Sequence, residues 1–138
     1  MNAPTATDLL NDTLVQQALE KAWHDSIPSD SLLRHEEGGW IYIGRTSGRI
    51  TIRQATAGSQ ATLDLNTPPE IPDAILIATF HTHPNPTAEG WEPGPSMEDT
   101  ESAWLFGVPC LIRADSGICT TGPTSRRGGL NGSPGYPS

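Results

Sequence analysis

Two periods of hydrophobic spacing run along this chain, and the places where one gives way to the other mark out its elements. Residues 8–24, DLLNDTLVQQALEKAWH, put Leu10, Leu14, Ala18 and Trp23 near one stripe at helical spacing, which predicts a single amphipathic helix. The run Ser26-Ile27-Pro28-Ser29-Asp30 stops it. The period then falls to two. GGWIYIGR at 38–45 sets Ile41 and Ile43 on one face, RITIRQ at 49–54 does so with Ile50 and Ile52, and QATLDLN at 60–66 with Leu63 and Leu65. Short links containing Gly and Ser join these segments, so three strands in an antiparallel meander are expected. Trp40 and Tyr42 alternate along the first strand and are assigned to packing.

A stiff connector, Thr67-Pro68-Pro69-Glu70-Ile71-Pro72, leads to AILIATFHTH at 74–83, apolar almost throughout, as a strand buried on both faces would be. A Pro/Gly loop at 84–95 precedes SMEDTESAWLFG, read as a helix, and VPCLIRA and GICTT then form a closing hairpin around Ala114-Asp115-Ser116-Gly117. From Gly122 the chain is Gly, Pro, Ser and Arg with almost no apolar content, so a disordered tail is expected at 122–138. No internal repeat is present. The pattern predicts an N-terminal arm at 1–7 and one α/β domain at 8–121, a mixed β-sheet flanked by helices.

Composition narrows the function classes. The chain has 138 residues, enough to bury a core, and 8 Lys+Arg against 16 Asp+Glu give a formal net charge of −8. Nucleic acid and anionic membranes are held by clustered basic side chains, so neither is an expected partner. No run of eighteen apolar residues suggests a membrane span, and MNAPTATDLLNDTL carries no basic leader, so a cytoplasmic protein is expected. Cys110 and Cys119 flank the hairpin turn on the diagonal, poor geometry for a disulfide, and read as small buried thiols.

The candidate chemistry begins where the apolar strand ends. Residues two apart on a strand point the same way, so His81 and His83 project together, with α-carbons about 6–7 Å apart. Two imidazoles so placed can bind one zinc ion through neutral ring nitrogens. Ser96 and Asp99 follow at a helix start. Serine at an N-cap with a carboxylate three residues on is nearly a capping box, yet a carboxylate there is also rigidly aimed and is a usual third zinc ligand. Two His and one Asp leave a position open for water, the catalytic pattern. His24, at a helix end, and His35 are assigned outside this group. Thr82 points to the opposite face and is expected to pack.

The string HTHP, a loop, then PSMED resembles the metal motif of the JAB1/MPN/Mov34 (JAMM) metallopeptidases: His-x-His-Pro, a spacer, Ser-x-x-Asp. That family carries a glutamate upstream, followed by glycine and an apolar strand, and RHEEGGWIYIG supplies one here. The family spacing selects Glu36, with Gly39 as the glycine and Glu37 as the fallback. The resemblance covers roughly residues 8–121 and is closest to compact bacterial JAB-like domains. It implies an MPN/JAB-like (cytidine-deaminase-like) fold and one zinc per chain, held by His81, His83 and Asp99. It further implies Glu36 as general base and Ser96 as oxyanion donor. The implied activity is hydrolysis of a peptide or isopeptide bond in a protein substrate, a ubiquitin-like protein among the candidates. Two alternatives stand beside it: a domain of a bacterial toxin or conflict system, and an inactive JAMM-like scaffold, which typically lacks a ligand or the glutamate.

One departure concerns substrate. Twelve residues separate His83 from Ser96, more than the family's usual spacer. This enlarged flap, 84–95, borders any substrate that reaches the metal. Its four prolines and two glycines predict a partly stiff loop, and Trp91, its one large apolar side chain, is the candidate substrate anchor.

Overall fold

The N-terminal helical pattern resolves into two helices in the computed structural model, which describes residues 2–132. They are α1 (Ala6–Leu10) and α2 (Thr13–Asp25), not the continuous helix expected over 8–24. Asp12 causes the break: its carboxylate accepts from the amides of Leu14 and Val15 at 2.9 and 3.1 Å, capping a new helix instead of continuing the old one. The restart shifts the apolar stripe. Val15, Leu19 and Ala22 are buried, whereas Leu14 of the expected stripe is 51% exposed.

Five strands form one mixed sheet in the order β2-β1-β3-β4-β5: β1 (Gly38–Gly44), β2 (Ile50–Gln54), β3 (Ala74–His83), β4 (Cys110–Ala114) and β5 (Gly117–Thr121). Only β3 and β4 run parallel, joined through α3 (Met97–Phe106). Leu111 of β4 joins the core under α1 and α2, while its neighbours Cys110 and Ile112 pack with Ala103 of α3, so helices cover both faces of one α/β domain. Glycine at 38 and 39 allows β1 to fit between its neighbours. A Cβ on Gly38 would lie 2.1 Å from the Phe80 carbonyl oxygen, and one on Gly39 would lie 1.9 Å from that of Arg53.

A bulge in β3 sets which way the histidines point. Ile41 pairs with Ala78 but Tyr42 pairs with Leu76, leaving Ile77 as an extra residue in β3. An extra residue reverses the in–out parity of everything beyond it. Ile75 and Ile77 before the shift, and Ala78 and Phe80 after it, all reach one buried cluster with Leu9, Val15, Leu19 and Ala22. Thr79, His81 and His83 consequently line a cleft on the other face. In an unbroken strand the two histidines would share the face of Ile75 and Ile77.

The expected third strand at 60–66 does not form. The segment does not pair with the outer edge of β2, where a meander would have placed it. It is anchored instead by a turn in which Ser59 N donates to Thr62 O at 2.9 Å, and by Trp40 Nε1 donating to Leu65 O at 3.2 Å. The expected tail also differs: residues 122–132 fold back onto the domain. Ala6 N donates to Thr124 O at 2.8 Å, Thr5 and Ser125 form a β-bridge, and Leu130 packs on the main core. Backbone pairing with the N-terminal arm, itself anchored by buried Ala3, supplies what the segment's sparse apolar content does not. Residues 133–138 of that expected tail lie outside the described residues. Among the described residues, no helix is long and apolar enough to cross a membrane.

Candidate metal centre

Two chain segments meet at the C-terminal end of β3. His81 and His83 come from the strand, and Asp99 from the first turn of α3. Ser96 makes that first turn rigid: its Oγ accepts from Asp99 N at 3.0 Å, while Asp99 Oδ2 accepts from Ser96 N at 2.9 Å. The capping box and the candidate metal ligand are therefore the same carboxylate. Its oxygens reach both rings, with Oδ1 3.3 Å from His81 Nε2 and Oδ2 3.1 Å from His83 Nε2.

The two Nε2 atoms lie 3.2 Å apart. That spacing matches the edge, about 3.3 Å, of a tetrahedron whose corners lie about 2.0–2.1 Å from a central ion, and each ring nitrogen has one Asp99 oxygen within 3.1–3.3 Å. The surroundings of His81 allow the tautomer a metal needs. His81 Nδ1 sits 3.5 Å from the Cys110 thiol, and the tautomer that donates Nδ1–H to that sulfur turns the Nε2 lone pair towards the group, as a metal would require. The residues present can thus hold a metal ion through two imidazoles and a carboxylate. Burial opposes the charge on Asp99, but hydrogen bonds from His81 and His83 outweigh it and hold the carboxyl well below the usual carboxylate range.

Glu36 and Glu37 diverge. Glu36, two residues before β1, is buried and lines the cleft that holds the two histidines. Burial pushes its pKa up to about 7, with His81 and His83 opposing and Asp99 adding to the rise. Glu37 is buried elsewhere, its oxygens bonded to His35 Nε2 at 2.5 Å and Gln54 Nε2 at 3.1 Å. His35 is occupied by that pair, and His24 is exposed on α2. Neither belongs to the metal group.

The cleft has a volume of about 660 Å³. One wall is the irregular 60–66 segment, through Leu63 and Leu65, and Phe106 of α3 contributes another apolar surface. Trp91, 43% exposed, stands on the flap and also lines the cleft. The flap is a pinned loop with one short 3-10 turn, Thr87–Glu89, ended by Gly90 at φ 89°. Glu89 pairs with the guanidinium of buried Arg34 at 3.1 and 3.4 Å, Thr87 N donates to Asp115 Oδ2 at 3.1 Å, and Gln60 Nε2 donates to Asn85 Oδ1 at 3.0 Å. Arg34, Asn85, Leu63, Leu65 and Cys110 all shape the site and none was expected there. The Leu63–Leu65 alternation was the one visible signal, read as a strand face when it is a cleft wall. Comparisons with protein-family models, curated proteins and solved structures return no match.

Proposed function

We propose that this chain is a zinc metallopeptidase of the JAMM type, with an MPN/JAB-like fold, that hydrolyses a peptide or isopeptide bond in a protein substrate. The observation that carries the reading is the meeting of His81, His83 and Asp99 at 3.1–3.3 Å in a cleft that also holds buried Glu36. Two imidazoles and one carboxylate are a usual catalytic zinc set, which leaves one coordination position open. Bound there, zinc supplies a Lewis-acidic charge that makes water a nucleophile near neutral pH.

The chain's own residues account for the proton movements. Glu36, with a pKa of about 7, is poised to take a proton from the attacking water and later deliver it to the leaving amine. Ser96 Oγ spends its lone pair on Asp99 N, so its proton remains free to donate to the oxyanion developing on the scissile carbonyl. Ubiquitin-like proteins are the first substrate class to test, because their extended tails would have to enter between the 60–66 wall and the flap, both of which line the cleft. The test is cleavage of a panel of ubiquitin-like fusions and isopeptide conjugates, with and without zinc. Zinc-dependent release by wild type, absent in Glu36→Gln, is expected. No cleavage of any member by the zinc-loaded protein would count against a peptidase.

A further inference from the structure

The residue between the two histidines was expected only to pack. We propose that Thr82 is a positioning residue that aims Glu36 into the cleft, through the peptide that links Glu36 to Glu37. The inference rests on the peptidase reading for its catalytic consequence, though not for its geometry.

The peptide plane following Glu36 is fixed at both ends. Its carbonyl, Glu36 O, accepts from Gly58 N at 2.9 Å, and its amide, Glu37 N, donates to Thr82 Oγ1 at 3.0 Å. The Thr82 main chain closes the pair from its own side, with Thr82 N donating to Glu37 O at 2.9 Å. Holding that plane sets ψ at Glu36 and hence the direction of its Cα–Cβ bond. The opposite directions of Glu36 and Glu37 follow from the same constraint.

Protons can be assigned along the contacts behind β3. Ser26 Oγ donates to Ala22 O at 2.8 Å, which commits the serine proton. The 2.6 Å contact between Ser26 Oγ and Thr82 Oγ1 is then a bond donated by Thr82. That commits the threonine proton and turns a lone pair towards Glu37 N. The bonds run in one direction, from Glu37 N–H to Thr82, to Ser26, to the last turn of α2. Thr82 and Ser26 are both fully buried, so no water competes for these groups. Threonine's β-branch further restricts χ1, so the hydroxyl cannot swing away cheaply. The fold thereby couples the strand that carries the metal ligands to the carboxylate that must face them.

The test compares Thr82→Val, which keeps the shape and loses the acceptor, with Thr82→Ser, which keeps the acceptor. Each is assayed in the zinc-loaded full chain on the fusion or isopeptide conjugate that wild type cleaves best. Thr82→Val is expected to lose about 10²-fold in kcat, the scale of a misplacement of about 1 Å, with KM and zinc content unchanged. Thr82→Ser should recover most of that loss. Equal impairment of both variants, or wild-type kcat in Thr82→Val, would overturn the proposal. If Thr82→Val does not fold, Ser26→Ala replaces it, since it leaves Thr82 in place but frees its hydroxyl to turn. A several-fold fall in kcat is then expected, and an unchanged kcat overturns the idea. A substrate-free readout separates this inference from the peptidase reading: hydrogen exchange at the Glu37 amide. Protection there should drop in Thr82→Val or its replacement and return in Thr82→Ser. If wild type cleaves nothing, the peptidase reading fails while this pattern still decides the geometry. Unchanged protection in the variant overturns the positioning claim.

Discussion

The two faces of β3 are built from the same ten residues and do opposite work. On the helix side Ile75, Ile77, Ala78 and Phe80 are sealed beneath α1 and α2. On the cleft side Thr79, His81 and His83 look into a cavity. The single extra residue at Ile77 divides them, because it lets isoleucines and histidines of equal parity take opposite faces. A strand can thus anchor a core along most of its length and still present two candidate metal ligands at its end.

If the faces are independent in function, substitutions on each should fail differently. The largest effect is expected on the cleft side, where Glu36→Gln should lower kcat by about 10²–10⁴-fold while keeping the metal, since the proposed mechanism gives the carboxylate proton transfer and no place among the ligands. Glu37→Gln, whose side chain is tied to His35 and Gln54, should change kcat far less. The reverse ranking in steady-state assays would move the base to Glu37. On the helix side, Phe80→Ala should cost about 3–5 kcal/mol in denaturant unfolding and leave metal per folded molecule unchanged. Metal loss in step with stability would show that the faces are one cooperative unit.

Trp91 sharpens the contrast, being apolar yet outside both cores. Trp91→Ala should weaken cleavage of a protein substrate by about 1–3 kcal/mol in kcat/KM, with little change in Tm. A large fall in Tm with intact activity per folded molecule would make it a packing residue. The smallest effect concerns pH. A carboxyl whose pKa rises on folding binds its proton more tightly when folded, so stability is lost as pH climbs from the ordinary carboxyl value through about 7. Metal-free Glu36→Gln should therefore match wild type near pH 4 and exceed it above pH 7 by on the order of 1–3 kcal/mol. Parallel stability–pH curves for the two proteins would contradict the burial of that carboxylate.

Much of this arrangement was legible in the sequence because it depends on local pattern. β1, β2, the histidine strand, α3 and the closing hairpin followed from periodicity, and His81, His83, Ser96 and Asp99 from their spacing. What was hidden depends on competition between distant segments. Leu63 and Leu65 alternate as a strand would, yet the segment bonds to Trp40 through the Leu65 carbonyl and forms a cleft wall. Asp12 looked like one polar position on a helix and proved to be a cap. Arg34 and Asn85 carry no motif, and their roles emerge only when the flap lies against Glu89 and Gln60. The segment after Gly122 is too poor in apolar residues to predict order, and is held largely by backbone bonds that composition does not encode.

The central claim is that the cleft face of β3 and the first turn of α3 together hold one metal ion. Elemental analysis of the purified chain after dialysis against a weak chelator tests it most directly. About one equivalent of zinc is predicted for wild type, with most of it lost in Asp99→Ala and in the His81→Ala, His83→Ala double variant. Full zinc retention by the folded double variant would contradict the assignment of the site.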